Sequence, residues 1–399
     1  MNNGSLSDPE VRADDLTWRE QEVLILLAER CTNREIDDQL HLAESTVKDY
    51  AGRILSKLYV KNRRQAVERA QKLGLLEIDG KIGHRPLTNL PAEATPYVGH
   101  RNELDEIKRH FDETRLLTLT GPGGIGKTRL AVKTALQAAC DFEDGVFFVS
   151  LAPISSVDRL IQTIAEALKI PLATHEDPQN QLLRYLQRKQ ILLVMDNFEH
   201  LLECVGIVSD ILPAAPGVKI LATSREKINL RSETILVIGG MSFPDPESSQ
   251  NPLANDATTL FVQSDNKVCP GFKPSPTELA QISNICEIVQ GMPLAIELAA
   301  AWLQILNVDE ITEELEKGFD ILATELRDAT ERHRSIRAVF NHSWSLLHQT
   351  EQEIFMQLSV FHGGFTRQAA QQVTGTSLPL LMGLVHKSFL SHDPDTGRL

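Results

Sequence analysis

Residues Leu117-Thr118-Leu119-Thr120 run directly into Gly121-Pro122-Gly123-Gly124-Ile125-Gly126-Lys127-Thr128, and no other stretch of the chain restricts its fold so strongly. An apolar strand that ends in G-x-x-x-x-G-K-[ST], followed by helix-forming Arg129-Leu130-Ala131-Val132-Lys133-Thr134-Ala135-Leu136, fits one supersecondary unit: strand, phosphate loop, helix. The loop glycines allow backbone conformations closed to other residues and turn N–H groups inward, forming an anion nest at a helix N-terminus. In such a unit Lys127 reaches the β and γ phosphates and Thr128 holds Mg²⁺ through its hydroxyl. A glycine-rich turn with a chance lysine would not need the flanking strand and helix.

A phosphate loop requires a second strand with a metal-side carboxylate, and Ile191-Leu192-Leu193-Val194-Met195-Asp196 supplies it. The continuous apolar run suits a parallel strand buried on both faces. Asp196 is the metal-side candidate, with capping of the next helix as the alternative. Asn197 follows where a second acid would orient an attacking water. Glu199 can substitute only if its turn points it inward, so slow hydrolysis is expected. A third strand, Val218 to Ser224, ends in Arg225, placed to sense a terminal phosphate by charge-assisted hydrogen bonding. The alternative is a solvated arginine or one paired with Glu226. Lys127, Asp196 and Arg225 are therefore the candidate catalytic residues, and Thr128 and Asp196 the candidate metal ligands.

The chain's 399 residues allow three or four domains. No run of about eighteen apolar residues occurs and the N-terminus lacks signal-peptide character, so a cytoplasmic protein without a membrane partner is expected. Five scattered cysteines lack C-x-x-C spacing, which argues against a disulfide framework or a cysteine-held zinc site. A net charge of −14 disfavours broad nucleic-acid binding, so any DNA contact must be concentrated in one module.

Such a module is visible near the N-terminus. Thr17 and Glu20 have capping-box spacing before an apolar helix through Ala28. Asn33 to Leu40 reads as a short second helix, Glu44 to Leu58 as a third and Asn62 to Leu73 as a fourth. In the third, Val47, Ile54, Leu55 and Leu58 face the core, while Thr46, Lys48, Arg53 and Lys57 stay outside as candidate DNA contacts. The segment resembles the LuxR/FixJ helix-turn-helix through Leu16-Thr17-x-Arg19-Glu20-x-Glu22-Val23-Leu24, Asn33-x-Glu35-Ile36, Thr46-Val47-Lys48 and Ile54-x-x-Lys57-Leu58. Arg30, Asp37, Ala43 and Tyr50 depart from the residues usual in that family. Residues 16–74 carry 11 Lys and Arg against 9 Asp and Glu, a weak basic surplus for a DNA reader. A helical module that contacts protein is the alternative.

Residues 77–95 carry glycines and prolines without helical or strand period and read as a linker. Beyond them, Tyr97-Val98-Gly99, Gly121 to Thr128, Asp196-Asn197-Phe198-Glu199-His200, Thr223-Ser224-Arg225 and Gly291-Met292-Pro293-Leu294-Ala295-Ile296-Glu297-Leu298 together resemble the NB-ARC nucleotide switch of STAND ATPases. This family includes apoptosome scaffolds, plant disease-resistance receptors and bacterial regulators. The resemblance implies that Tyr97 and Val98 lie along an adenine and that Pro293 packs near the base. It also implies ATP or ADP with Mg²⁺ as ligand, held by Tyr97, Val98, Gly121, Pro122, Gly123, Gly124, Ile125, Gly126, Lys127, Thr128, Arg129 and Pro293. His100 stands where the family has an arginine. Read locally, Pro293 is a proline in the first turn of a helix.

The expected architecture is multidomain. A flexible terminus (1–13) precedes an all-α helix-turn-helix domain (14–76) and the linker. An α/β P-loop domain with a parallel sheet (96–242), a helical domain (243–328) and a winged-helix domain (329–399) follow. Leu380 to Leu390 reads as a helix then a strand, and Asp393 to Gly397 as a hairpin turn. The strand stops at Leu399, short of the histidine and repeat array of relatives, so a truncated chain lacking its sensor is expected.

The resemblance implies a signal-dependent ATP/ADP switch controlling the N-terminal module. Such a switch is most simply a transcription regulator that self-associates in the ATP state, responds to an unknown sensor ligand and uses slow ATP hydrolysis as a reset. The alternatives are an immunity-like scaffold whose N-terminal module recruits protein, or a plain P-loop enzyme. The last lacks a separate acid/base or nucleophile cluster.

Overall fold

A computed structural model describes residues 18–28, 31–33, 35–36, 44–72, 87–93, 95–152, 154, 156–173, 175–244, 253, 255–265, 273–324, 334–393 and 396–399. The chain divides into two units, 1–85 and 86–399.

The first unit is helical: α1 (Trp18–Ala28), α2 (Glu44–Lys57) and α3 (Arg63–Lys72). Val23, Leu24 and Leu27 of α1 meet Val47, Ala51 and Ile54 of α2 and Ala66 and Ala70 of α3 in one apolar core, with Leu58 and Ile36 buried among them. The spacing of these positions is that of amphipathic helices packing three ways. Glu20, whose expected capping partner Thr17 is outside the described residues, is buried in this core. Its side chain is 2% exposed and accepts a 2.7 Å hydrogen bond from Lys57 Nζ. Thr17, Asp37, Asp38 and Ala43 lie outside the described residues.

The second unit is built on one sheet of five parallel strands. These are β1 (Leu116–Thr120), β2 (Gly145–Ser150), β3 (Ile191–Asp196), β4 (Val218–Ser224) and β5 (Glu233–Val237), in the order β2-β3-β4-β1-β5. Alternate side chains leave the sheet on opposite faces. Leu117, Leu119, Leu192, Val194 and Leu221 join one core with α4 (Arg101–Glu113) and α5 (Lys127–Gln137). Leu116, Ile191, Leu193, Met195, Ile220 and Ala222 join the other with α6 (Val157–Ala167), α7 (Pro178–Leu186) and α8 (Gly206–Ala214). Burial on both faces explains why β1 and β3 read as unbroken apolar runs.

Two helical layers follow the sheet. The first comprises α9 (Asp256–Asp265), α10 (Pro276–Ile288), α11 (Pro293–Ala300) and α12 (Val308–Lys317), packed around Phe261, Ile282, Ile296 and Ile311. The second comprises α13 (Ile336–Trp344), α14 (Gln349–Leu358), α15 (Arg367–Thr374) and α16 (Leu378–His386), packed around Leu347, Ile354, Phe365 and Leu384.

Two expectations need correction. Residues 87–93 are not a detached linker: Thr88 bridges Val146 in parallel, and Asn89 exchanges hydrogen bonds with Phe148 of β2 at 2.6 and 2.9 Å. Residues 387–390 form a turn and not a strand, with Lys387 N donating to Gly383 O at 3.0 Å and Phe389 N to Leu384 O at 2.9 Å. Asp393 and Arg398 form a single antiparallel bridge.

Candidate functional site

The strand order places β4 between β1 and β3, so the C-terminal ends of all three lie side by side, at the edge where open α/β sheets bind ligands. Gly126 takes φ 94° at the start of α5 and caps it without a side-chain hydrogen bond, leaving the helix start as an anion site. Lys127 Nζ donates to Gly121 O at 2.7 Å and Pro122 O at 2.9 Å, folding over its own loop. Thr128 donates its hydroxyl to Asp196 Oδ1 at 2.6 Å, and Thr223 donates to the same oxygen at 2.7 Å. Asp196 is buried and joins strand ends, whereas the following turn is capped by left-handed Asn197. Asp196 Oδ1 thus joins the start of α5 to the end of β4 through two hydroxyl donors. Thr223, whose part in holding the carboxylate the sequence reading missed, is level with Asp196 by register, since Met195 pairs with Ala222.

Arg225 is buried and not a solvated strand end. Its Nε lies 3.4 Å from Glu199 Oε1, Nη1 donates to Val339 O at 3.3 Å, and it also donates to Ser343 Oγ. Its backbone carbonyl accepts from Ser388 Oγ at 2.7 Å. One guanidinium therefore ties the end of β4 to the turn after β3 and to α13, the planar multi-donor role that arginine suits. Glu199 does point inward: it is buried, with Asn197 Nδ2 donating to Oε1 at 3.3 Å. Nothing local to α13 signalled this meeting, because Val339 and Ser343 read only as positions on an amphipathic helix.

On the other flank of the loop, a Cβ placed on Gly126 would lie 3.8 Å from both His100 Nε2 and Pro293 Cγ, and Leu294 N donates to Gly124 O at 3.3 Å. The proline opens α11 in its first turn, so the local reading and the loop contact coexist. His100 is buried in a left-handed conformation, its Nδ1 3.4 Å from Glu103 Oε1 and its Nε2 without a hydrogen-bond partner. The hydrogen bond from His100 holds the Glu103 carboxyl below the usual range. Tyr97 packs with the sheet core and Val98 with the α9–α12 core. Burial pushes the Tyr97 hydroxyl well above the ordinary phenol range, and its buried oxygen has no hydrogen-bond partner. Arg129 points away from the loop, donating to Thr95 Oγ1 at 2.8 Å and Pro96 O at 3.0 Å and pairing with Glu297 at 3.3 Å.

These residues fit a Mg²⁺-bound nucleotide. Gly121, Gly123 and Gly124 leave no room for side chains against Ile238, Val339 and Leu294, Thr128 and Asp196 offer hard oxygens, and His100 directs an unsatisfied buried nitrogen at the loop.

In the first unit, Lys48 and Arg53 are exposed on α2, with the Arg53 guanidinium carbon 5.8 Å from the Tyr50 ring centre. Thr46 is half-buried. Lys57 is half-buried, and its ammonium donates to the buried Glu20 carboxylate at 2.7 Å, a pairing that offsets the cost of burying that charge.

Residues 14–70 match the family "Bacterial regulatory proteins, luxR family", and residues 109–230 match an "AAA domain" family. The chain is 37% identical over 294 residues to Rv0890c of Mycobacterium tuberculosis, a protein named as an HTH-type transcriptional regulator. That match covers 72% of this chain and 32% of the relative, so the chain spans about a third of the length of the first curated relatives it matches. It is 32% identical over 313 residues to Rv0894 of the same organism, covering 76% of this chain and 77% of that protein. Among solved structures it is similar to a Pyrococcus horikoshii STAND protein with a tetratricopeptide repeat sensor. That likeness is at 15% identity and TM-score 0.36, over 77% of this chain and 41% of that one. With Rv0894 covered over most of its length, and with the two matched domains in this order, the chain belongs to that mycobacterial protein's family and carries an N-terminal LuxR-type helix-turn-helix domain followed by an AAA-type P-loop domain.

Proposed function

We propose that the chain is an adenine-nucleotide switch that regulates transcription through its LuxR-type domain. The observation that carries this reading is the docking of α13 on the phosphate loop. A Cβ added to Gly123 would stand 2.5 Å from Val339 Cγ1 and 3.0 Å from Arg225 Nη2. Loop, sensor-placed arginine and C-terminal helix thus touch one another, so a change at the loop has a direct mechanical outlet.

When bound, a Mg²⁺-nucleotide supplies concentrated phosphate charge and, in ATP, a terminal phosphate. Lys127 exchanges the carbonyls of Gly121 and Pro122 for that charge, a stronger partner. Thr128 and Asp196 are the metal-side pair. Arg225 cannot give the same N–H groups to an anion at the loop and to Val339 and Ser343, so its choice couples loop occupancy to α13. Tyr97, Val98, Pro293 and His100 form the flank suited to the base and sugar. The ADP form is the closed one in this reading, and the ATP form releases α13 and exposes a self-association surface. The α13–α16 layer plays the part of the family's winged-helix domain.

Hydrolysis is slow and serves as a reset. Asn197 cannot act as a carboxylate base, and Glu199 is held by Arg225 and Asn197. DNA is the output because Lys48 and Arg53 are exposed on the helix that LuxR-type domains place in the major groove. A sensor ligand sets the balance, and the protein acts in the cytoplasm.

Denaturing the purified chain and identifying the released nucleotide tests the reading. ADP supports the closed switch and GDP overturns the adenine assignment. Absence of nucleotide, joined to absence of calorimetric ADP and ATP binding, overturns the site itself.

A further inference from the structure

Just past the end of β3, three side chains converge that the nucleotide reading leaves without a joint task. Glu199 and His200 sit in the 3₁₀ turn Phe198–Cys204, and His342 reaches them from α13. One ligand atom from each lies within 4.8 Å of the other two. The rings of His200 and His342 have centroids 5.3 Å apart and are tilted by 56°.

The two oxygens of Glu199 are used unequally. Oε1 accepts from Asn197 and faces Arg225 Nε, whereas Oε2 is buried without a hydrogen-bond partner in a side chain only 2% exposed. A buried carboxylate oxygen left unmatched is costly. A cation between it and two imidazoles would match it.

We propose that Glu199, His200 and His342 form a divalent transition-metal site, with Zn²⁺ as its natural occupant, bridging the turn after β3 to α13. Zinc takes histidine nitrogen and carboxylate oxygen at about 2.0–2.2 Å in tetrahedral geometry, which sets ligand atoms roughly 3.4 Å apart. Metal binding has to draw the ligand atoms in from a spacing of up to 4.8 Å, and His200 and His342 are both half-buried, which leaves a path for entry. Three protein ligands leave a fourth position for water.

Arg225 selects among cations. Its guanidinium already compensates part of the Glu199 charge and repels a newcomer by Coulomb's law. A hard, strongly hydrated ion such as Mg²⁺, which prefers oxygen donors, gains little there. A metal that bonds imidazole strongly overcomes the repulsion. Because the ligands come from both sides of the docked surface, metal binding holds α13 against the turn. The site does not depend on which nucleotide the loop accepts.

The test uses the full chain without a polyhistidine tag, stripped by chelator and titrated with Co²⁺ alone, then with Zn²⁺ in competition. The expected result is one Co²⁺ per chain with the visible bands of a tetrahedral ion, displaced by Zn²⁺ and not by Mg²⁺. His342→Gln and His200→Gln each weaken binding at least about tenfold, since even outer-shell changes cost 10–100-fold. Zn²⁺ raises the melting temperature of the wild type and leaves that of His342→Gln unchanged, and circular dichroism of each variant checks folding. Absence of tetrahedral bands overturns the site. Equal Co²⁺ affinity in a folded double His200→Gln/His342→Gln variant also overturns it, because the metal would then be held elsewhere.

Discussion

Val339 of α13 stands over Gly123 of the phosphate loop so closely that a methyl group on the glycine would lie 2.5 Å from the valine Cγ1. Only glycine leaves room for the helix at that point. Gly123→Ala is therefore expected to push α13 off the loop, costing about 1–3 kcal/mol in the manner of an overpacked interior. Val339→Ala in the same chain removes the nearer contact, leaving Arg225 Nη2 at 3.0 Å, and should recover part of that stability. Chemical denaturation of the two single variants and the double variant checks this, and an additive pair would show that the two positions do not meet.

Lys127→Ala is expected to reduce ADP and ATP affinity by tenfold or more, because the loop's principal cation is removed while its backbone nest remains. Asp196→Ala should instead weaken the Mg²⁺ dependence of binding. It should also cost about 1–3 kcal/mol of stability, since the Thr128 and Thr223 hydroxyls are left without their common acceptor. Calorimetric titration with and without Mg²⁺, beside a melting curve, separates the two effects.

In the LuxR-type domain the three candidate basic residues of α2 should behave differently. Lys57→Met removes the cation that donates to the buried Glu20 carboxylate and is expected to destabilise the domain by about 1–3 kcal/mol. Lys48→Ala and Arg53→Ala should change stability by less than about 0.5 kcal/mol. Each should lower the salt slope of duplex binding by about one unit for every phosphate that the removed side chain neutralises. Melting curves and salt-dependent anisotropy on the full chain read both quantities. Duplex binding that is weak in the wild type and indifferent to both alanine changes would favour a protein-recruiting output.

Glu226, beside the Arg225 cluster, has its carboxyl pushed up chiefly by burial. Glu199 and Glu351 add to the rise, and Lys387 and His348 oppose it. A folded-state value above the unfolded one means that the folded chain favours the protonated acid. This contribution to stability is full below the unfolded value and is lost as pH rises through the folded one. Glu226→Gln should thus raise stability near neutral pH and flatten the decline between the carboxylate range and neutrality. Denaturation midpoints across pH 4 to 8 would reveal it, and parallel curves for the two proteins would count against it.

Legibility in the sequence followed the range over which each signal acts. The phosphate loop and β3 declared themselves because G-x-x-x-x-G-K-[ST] and an apolar run ending in Asp196 are local patterns with local causes. The Lys57–Glu20 pair was not legible because amphipathic spacing says which face a residue occupies and not that its ammonium would meet Glu20, 37 residues earlier. Arg225 was found as a strand-end cation, yet its partners Glu199, Val339 and Ser343 come from elements that meet only through tertiary packing. The same holds for His342, whose position on α13 carries no sign of His200. Residues 87–93 read as linker because irregular composition reports missing periodicity, while Thr88 joins the sheet through backbone pairing that any residue could make.

The most direct measurement is hydrogen exchange of residues 336–344 in the chain loaded with ADP and, separately, with a non-hydrolysable ATP analogue. The expected result is slow exchange with ADP, where Arg225 keeps its hold on Val339 and Ser343, and clearly faster exchange with the ATP analogue. Identical protection in both forms, with both nucleotides demonstrably bound, would contradict the switch.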